Sequence, residues 1–179
     1  MTSQIQIKDK HFNLFLSEKE ILDAIRQTAI KMEQDLKELQ PLFICVLNGA
    51  FMFASDLLKL FDFPCEITFI RLKSYEGTQT DGRVKEVQGL IEKIENRHVV
   101  ILEDIIDTGH TVARLKAYIL SQQPASFRVA SLLFKPGALL NDIQPDYAAI
   151  HIPNDFIVGY GLDYDGLGRN LRNIYKIKN

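Results

Sequence analysis

Val99-Val100-Ile101-Leu102-Glu103-Asp104-Ile105-Ile106-Asp107-Thr108-Gly109-His110-Thr111 is the stretch from which the rest of the chain can be read. Four consecutive apolar residues, 99–102, have the pattern of a strand covered on both faces, as in a parallel sheet. Three carboxylates follow within five positions, then a small hydroxyl-rich turn at Thr108-Gly109-His110-Thr111. Residues 112–120 repeat apolar side chains at helical spacing. The order is strand, acidic tip, tight turn, helix. Open parallel sheets bind ligands at the carboxyl ends of their strands. Free N–H groups at a helix start hold anions, and threonine hydroxyls beside a flexible glycine suit a phosphate.

Carboxylates repel phosphate, so Glu103 and Asp104 should face another part of the ligand. They can accept hydrogen bonds from the vicinal hydroxyls of a ribose, or stand near Mg²⁺, which favours oxygen ligands. Asp107, one turn further on, can take or hold a proton. The combination points to a sugar phosphate that carries a divalent metal.

Composition is consistent with an enzyme of this kind and excludes other classes. At 179 residues the chain fits one domain, 1–179, and can bury about 70% of its unfolded surface. A net charge of -2 leaves no basic footprint for nucleic acid. Cys45 and Cys65 sit in apolar surroundings and read as small hydrophobes in a reducing compartment, not as a disulfide frame. The four histidines are scattered, and no Cys/His cluster suggests zinc. No signal peptide and no apolar run near the ~20 residues of a membrane span is present. A cytoplasmic protein with no membrane partner is the expectation.

Along the chain, residues 1–16 are weakly patterned. Residues 17–40 read as a helix that starts at a Ser17-x-x-Glu20 capping box and buries Ile21, Ile25, Ala29, Met32 and Leu36. Strands are expected at 42–47, 66–72, 84–91, 127–134, 147–152 and 156–162. A helix is expected at 50–61 and a polar loop at 73–83. Alternating strands and helices imply an α/β fold with a mostly parallel twisted sheet and right-handed crossovers. Asn48-Gly49 ends one buried strand and opens a helix, so its backbone can approach an anion closely.

Residues 100–111 resemble the phosphoribosyl pyrophosphate signature of the type I phosphoribosyltransferases. The form Glu-Asp-Ile-Ile-Asp-Thr-Gly, with Asp107, is most similar to the hypoxanthine-guanine branch of that family. A second match is Phe156-Ile157-Val158-Gly159-Tyr160-Gly161-Leu162-Asp163-Tyr164, and order and spacing hold from about residue 42 to 172. The resemblance implies the family's fold: a parallel sheet with helices on both faces, plus a small hood built from terminal segments.

The resemblance also implies site roles. Thr108, Gly109, His110 and Thr111 would hold the 5′-phosphate, with Ile105 and Ile106 beside them. Glu103 and Asp104 would hold the ribose hydroxyls. Asp107 would act near N7 of the base, either as general base or by stabilising the protonated base. Lys135 would bind the purine 6-oxo group, Phe156 would stack on the ring, and Ile157 would offer its backbone to the base edge. Asn48, Gly49 and Arg169 would meet pyrophosphate, the loop at Asn48-Gly49 through an unusual cis peptide. Glu103, Asp104 and Asp163 would face Mg²⁺. Ser74 and Tyr75 would belong to a loop that covers the reaction centre. Two departures stand out: Asn48 replaces the lysine of most members, and His110 replaces the lysine of some. The implied substrates are phosphoribosyl pyrophosphate and a purine base, and the implied assembly is a homodimer or homotetramer. Two alternatives are a regulator that binds the sugar pyrophosphate without catalysis and an unrelated acidic-pocket receiver. The first would not need Asp107, Lys135, Phe156 and Asp163 together, and the second does not explain the Thr-Gly turn.

Overall fold

The computed structural model describes residues 3–72, 87–88 and 90–178. In chain order the elements are β1 (Gln4–Ile7), β2 (Lys10–Leu16), α1 (Glu18–Leu36), β3 (Leu42–Leu47), α2 (Phe51–Leu58), β4 (Glu66–Leu72) and β5 (Val87–Gln88). Then come β6 (His98–Ile106), α3 (His110–Leu120), β7 (Ser126–Phe134), β8 (Tyr147–His151), β9 (Ile157–Val158) and β10 (Ile174–Ile177).

The apolar runs become the central sheet, in the order β5-β4-β3-β6-β7-β8. Its strands are parallel except β5, which runs antiparallel to β4. α2 lies in the crossover from β3 to β4 and α3 in that from β6 to β7, and together with α1 they cover both faces of the sheet. On one face α1 and α2 bury Ile21, Ile25, Met32, Phe53 and Leu57 against Phe43, Val100 and Leu132. On the other, α3 buries Val112, Leu115 and Ile119 against Ile44, Ile101 and Val129.

The helix expected at 17–40 starts where its capping box places it. Ser17 N donates to Glu20 Oε2 at 2.8 Å, and Glu20 N donates to Ser17 Oγ at 3.3 Å. All five apolar residues of the expected stripe are buried. The α-helix stops at Leu36, followed by a short 3-10 turn and Gln40 at φ +45°. Pro41 explains this, because its ring disfavours helical backbone at the residue before it.

Three expectations need correction. Residues 1–16, weakly patterned in sequence and given no element there, form a hairpin of β1 and β2 with Ile7 paired to Lys10. The strand at the centre does not end at Leu102, since β6 runs on to Ile106 and carries Glu103 and Asp104 inside it. The strand expected at 156–162 is only Ile157–Val158, and it joins β10 in a second sheet ordered β1-β2-β10-β9. That antiparallel sheet joins both ends of the chain into a hood over a separate apolar cluster of Ile7, Phe12, Val158 and Tyr175. Ser74 and Tyr75, the rest of the 73–83 loop, and residues 84–86 and 89 lie outside the described residues; of the strand expected at 84–91 the described part is Val87–Gln88, and residues 90–91 are not strand.

Candidate active site

The site is built where β6 loses a neighbour. β7 stays paired with β6 as far as Ile106↔Phe134, whereas β3 pairs with it only to Cys45↔Leu102. Beyond Leu102 a crevice opens between the ends of β3 and β6. This is the kind of position where open α/β sheets bind ligands.

The carboxylates of β6 line that crevice. A Cβ on Gly49 would lie 1.6 Å from Asp104 Oδ2, so only glycine lets the Asn48-Gly49 loop pass the acid. The Leu47-Asn48 peptide is cis, and Asn48 is exposed. Burial pushes the Asp104 carboxyl up to about 6, although the Ile105 N–H at 2.9 Å and the Arg169 guanidinium pull it down. Glu103 is buried, and its Oε2 has no hydrogen-bond partner. Burial, with Asp104 beside it, holds the Glu103 carboxyl well above its ordinary range.

The turn after β6 has the geometry its sequence asks for. Gly109 caps α3 at φ +79°, a left-handed conformation that glycine adopts without penalty. α3 starts at His110, whose side chain is exposed, so the N–H groups of its first turn have no helical acceptors. Asn141 braces the turn from behind. Its Nδ2 donates to Thr108 O at 3.4 Å, its Oδ1 accepts from Ile143 N at 3.1 Å, and Leu140 N also donates to Thr108 O at 3.1 Å.

Lys135 leaves the end of β7 with its N–H on Ile106 O at 2.9 Å. Its buried ammonium donates to Asp107 Oδ2 at 2.7 Å, while 43% of the Asp107 side chain stays open. The two residues with expected roles on the base therefore meet at the crevice mouth.

The loop after β9 closes the other wall. Arg169 Nη1 donates to Gly161 O at 2.7 Å, and Nη2 pairs with Asp163 Oδ1 at 2.5 Å. Asp163 Oδ2 accepts from Gly166 N at 2.7 Å. Gly161 lies so close to the Asn48-Gly49 loop that a Cβ on it would stand 2.0 Å from Gly49 O. Asn48, Gly49, Asp104, Asp163 and Arg169 are thus brought together. Phe156 is 46% exposed, with its ring 6.3 Å from Phe12 and edge-on to Tyr164 at 5.9 Å. Among the described residues no three His, Cys, Asp or Glu side chains converge into a closed metal cage. The charges of Asp163 and Arg169 both act on the Asp104 carboxyl, and that of Asp104 acts on Glu103.

Residues 15–165 match the family model described as the phosphoribosyl transferase domain. The chain belongs to the phosphoribosyltransferase family. It is similar to the hypoxanthine-guanine phosphoribosyltransferase of Streptococcus thermophilus, with 36% identity over 166 residues and 92% of each chain covered. The namesake of Streptococcus agalactiae is 40% identical over 163 residues, covering 90% of this chain and 91% of the relative. A solved hypoxanthine-guanine phosphoribosyltransferase from Bacillus anthracis matches with a TM-score of 0.82 at 32% identity, over 93% of this chain and 97% of that one.

Two residues near this phosphoribosyltransferase site receive no role from the sequence. Asn141 lies 32 positions beyond the turn it braces. Tyr160 reads as an ordinary core aromatic, yet it holds φ +51° and bonds to α2. Only the fold shows what each of them holds.

Proposed function

We propose that the chain, as one domain over 1–179, transfers the 5-phosphoribosyl group from phosphoribosyl pyrophosphate to hypoxanthine and guanine. The products are IMP or GMP and pyrophosphate. The observation that carries this reading is the Lys135–Asp107 pair at 2.7 Å, directly before the amide-lined bend at 108–111. A buried ammonium donates well to a purine 6-oxo group and poorly to adenine, whose 6-amino group is itself a donor. The neighbouring carboxylate is then placed near N7.

In the reaction, N9 of the base bonds to C1′ as the bond from C1′ to the pyrophosphate oxygen breaks, with inversion through an oxocarbenium-like state. The N–H groups of residues 109–111 anchor the 5′-phosphate. The acids of β6 accept from the ribose hydroxyls, which gives Glu103 Oε2 the partner it lacks. Lys135 orients the base, Phe156 stacks on it through its exposed face, and Ile157 offers its backbone to the base edge. Asp107 takes or holds the proton that leaves the base. Arg169 presents a planar fork to pyrophosphate oxygens. The oxygen-only donors Glu103, Asp104 and Asp163 fit a hard cation such as Mg²⁺ that keeps several of its waters. Held by these residues, such an ion would supply neutralisation of the charge on the leaving group.

The proposal extends to a homodimer or homotetramer, supported by the large apolar side chains Phe51, Ile67 and Phe69 at the surface of α2 and β4. It also places the enzyme in the cytoplasm, a reading supported by two free cysteines. Among the described residues no helix is long and apolar enough to cross a membrane.

The test is a panel of hypoxanthine, guanine, xanthine and adenine with phosphoribosyl pyrophosphate and Mg²⁺. Pyrophosphate release with the first two and not with adenine is the expected outcome. Silence with every base, or a preference for adenine, would overturn the proposal.

A further inference from the structure

Tyr160 lies in the chain between Ile157, assigned to the base, and Asp163 and Arg169, assigned to the pyrophosphate side. Its ring is buried, and its hydroxyl donates to Asp56 Oδ2 at 2.5 Å. Burial and the Asp56 carboxylate both hold the phenol protonated, so it remains a donor. Asp56 lies on α2, where its other oxygen is occupied by Lys59 Nζ at 2.7 Å.

The backbone at Tyr160 is unusual. A bulky residue at φ +51° is an outlier, and such conformations persist only where the surroundings over-determine them. Tyr160 N donates to Leu171 O at 2.8 Å, and Gly161 N donates to Arg169 O at 2.9 Å. The next residue, Gly161, is the one pressed on Gly49 O. Arg169, in turn, is held on Gly161 O.

α2 is continuous with the Asn48-Gly49 loop, since Ala50 N donates to Val46 O and Ala54 N donates to Ala50 O. The Tyr160–Asp56 bond therefore joins two bodies. One is the Asn48-Gly49 loop with α2, and the other is the loop that carries Asp163 and Arg169. We propose that Tyr160, acting through Asp56, is a positioning residue that sets the spacing between the Asn48-Gly49 loop and Arg169, and so tunes the site for pyrophosphate.

This rests on the proposed function only for the identity of the ligand. Loss of the tether frees Gly161 to drift from Gly49 O, and Arg169 moves with it. The pyrophosphate side loosens, while Lys135, Phe156 and Ile157 keep their places.

The test compares Tyr160→Phe, Asp56→Ala, Asp56→Asn and the double variant Tyr160→Phe/Asp56→Ala with the unaltered protein. Three quantities are read: KM for phosphoribosyl pyrophosphate, KM for hypoxanthine, and the Kd of magnesium pyrophosphate by calorimetry. Tyr160→Phe should raise the first and third about tenfold, the worth of one charge-assisted hydrogen bond, and leave the second within about twofold. Asp56→Ala should match it, and the double variant should be no worse than either single one, as for two members of one interaction. Asp56→Asn keeps an acceptor oxygen and should recover most of the loss. A variant that melts earlier but binds pyrophosphate normally, equal shifts in both KM values, or additive losses would each overturn the assignment. Pyrophosphate release bears on the proposed function, whereas the calorimetric Kd reads the tether even in a protein that turns over no purine.

Discussion

Replacing Gly109 with Ala tests the geometry of the phosphate turn most directly. Gly109 holds φ +79°, and an added Cβ would lie 2.5 Å from Asn141 Oδ1 and 2.9 Å from its Nδ2. Two costs follow. A non-glycine residue in the left-handed region costs about 1–2 kcal/mol. Relief of the clash requires Asn141 to give up bonds to Thr108 O and Ile143 N, each worth about 0.5–1.5 kcal/mol. The sum is about 2–3 kcal/mol, since the weak 3.4 Å bond contributes least. At a urea slope of ~2 kcal/mol/M this moves the unfolding midpoint down by about 1 M or a little more. The displaced amides should also raise KM for phosphoribosyl pyrophosphate by about tenfold or more. Pairing the change with Asn141→Ala separates the two costs. The clash disappears and the backbone cost stays, so the pair should be about 1 kcal/mol less destabilised than the sum of the single changes. A cost for Gly109→Ala below ~0.5 kcal/mol, or strict additivity with Asn141→Ala, would refute this account of the turn.

Asp107→Asn should cut kcat by about 10²-fold or more while both substrates still bind, because it removes a proton acceptor and keeps the shape; near-normal turnover in a stopped assay would take Asp107 out of the chemistry. Phe156→Ala should raise KM for hypoxanthine by about tenfold, within the range for one stacked base, and leave KM for the sugar pyrophosphate unchanged. The ligand-free protein should lose stability between about pH 5 and 7. A carboxyl with a higher pKa in the fold than in the unfolded chain makes the fold bind more protons, so stability falls as pH rises through that interval. Asp104, at about 6 against an ordinary 3.8, acts in this sense, and Glu103 extends the fall upward. Thermal melts at pH 5 and 7.5 should show the drop, with Glu103→Gln/Asp104→Asn flattening it. A wild-type Tm that rises across the interval would contradict the burial of these acids.

How much of the site was legible depended on whether its cause was local. The capping box at Ser17 and the stripe from Ile21 to Leu36 are set by residues three and four apart, and both came out as read. The phosphate turn was legible for the same reason: a buried strand, a left-handed glycine and a helix start are contiguous in sequence. The hood of terminal segments is implied by the resemblance, but its hairpin is not legible in residues 1–16, although Ile5 and Ile7, then Phe12, Leu14 and Leu16, alternate as a strand should. The turn between β1 and β2 runs through Lys8 at φ +51°, without the Asn-Gly or Gly-Gly signal that marks most hairpins. The far end of β6 is hidden in the sequence for a related reason. Two acids inside a strand look like a loop until its partner β7 is known to continue beside them.

The sequence by itself determined the α/β alternation, the helix faces and the chemistry of the 99–111 segment, because each of these is fixed by neighbours along the chain. Tertiary structure alone decided that β3 stops pairing at Leu102, that Gly49 and Gly161 touch, that Asn141 stands behind Gly109 and that Tyr160 reaches Asp56. These contacts join residues tens of positions apart. Their energies come from packing and burial around a crevice that exists only once the sheet and the hood have formed.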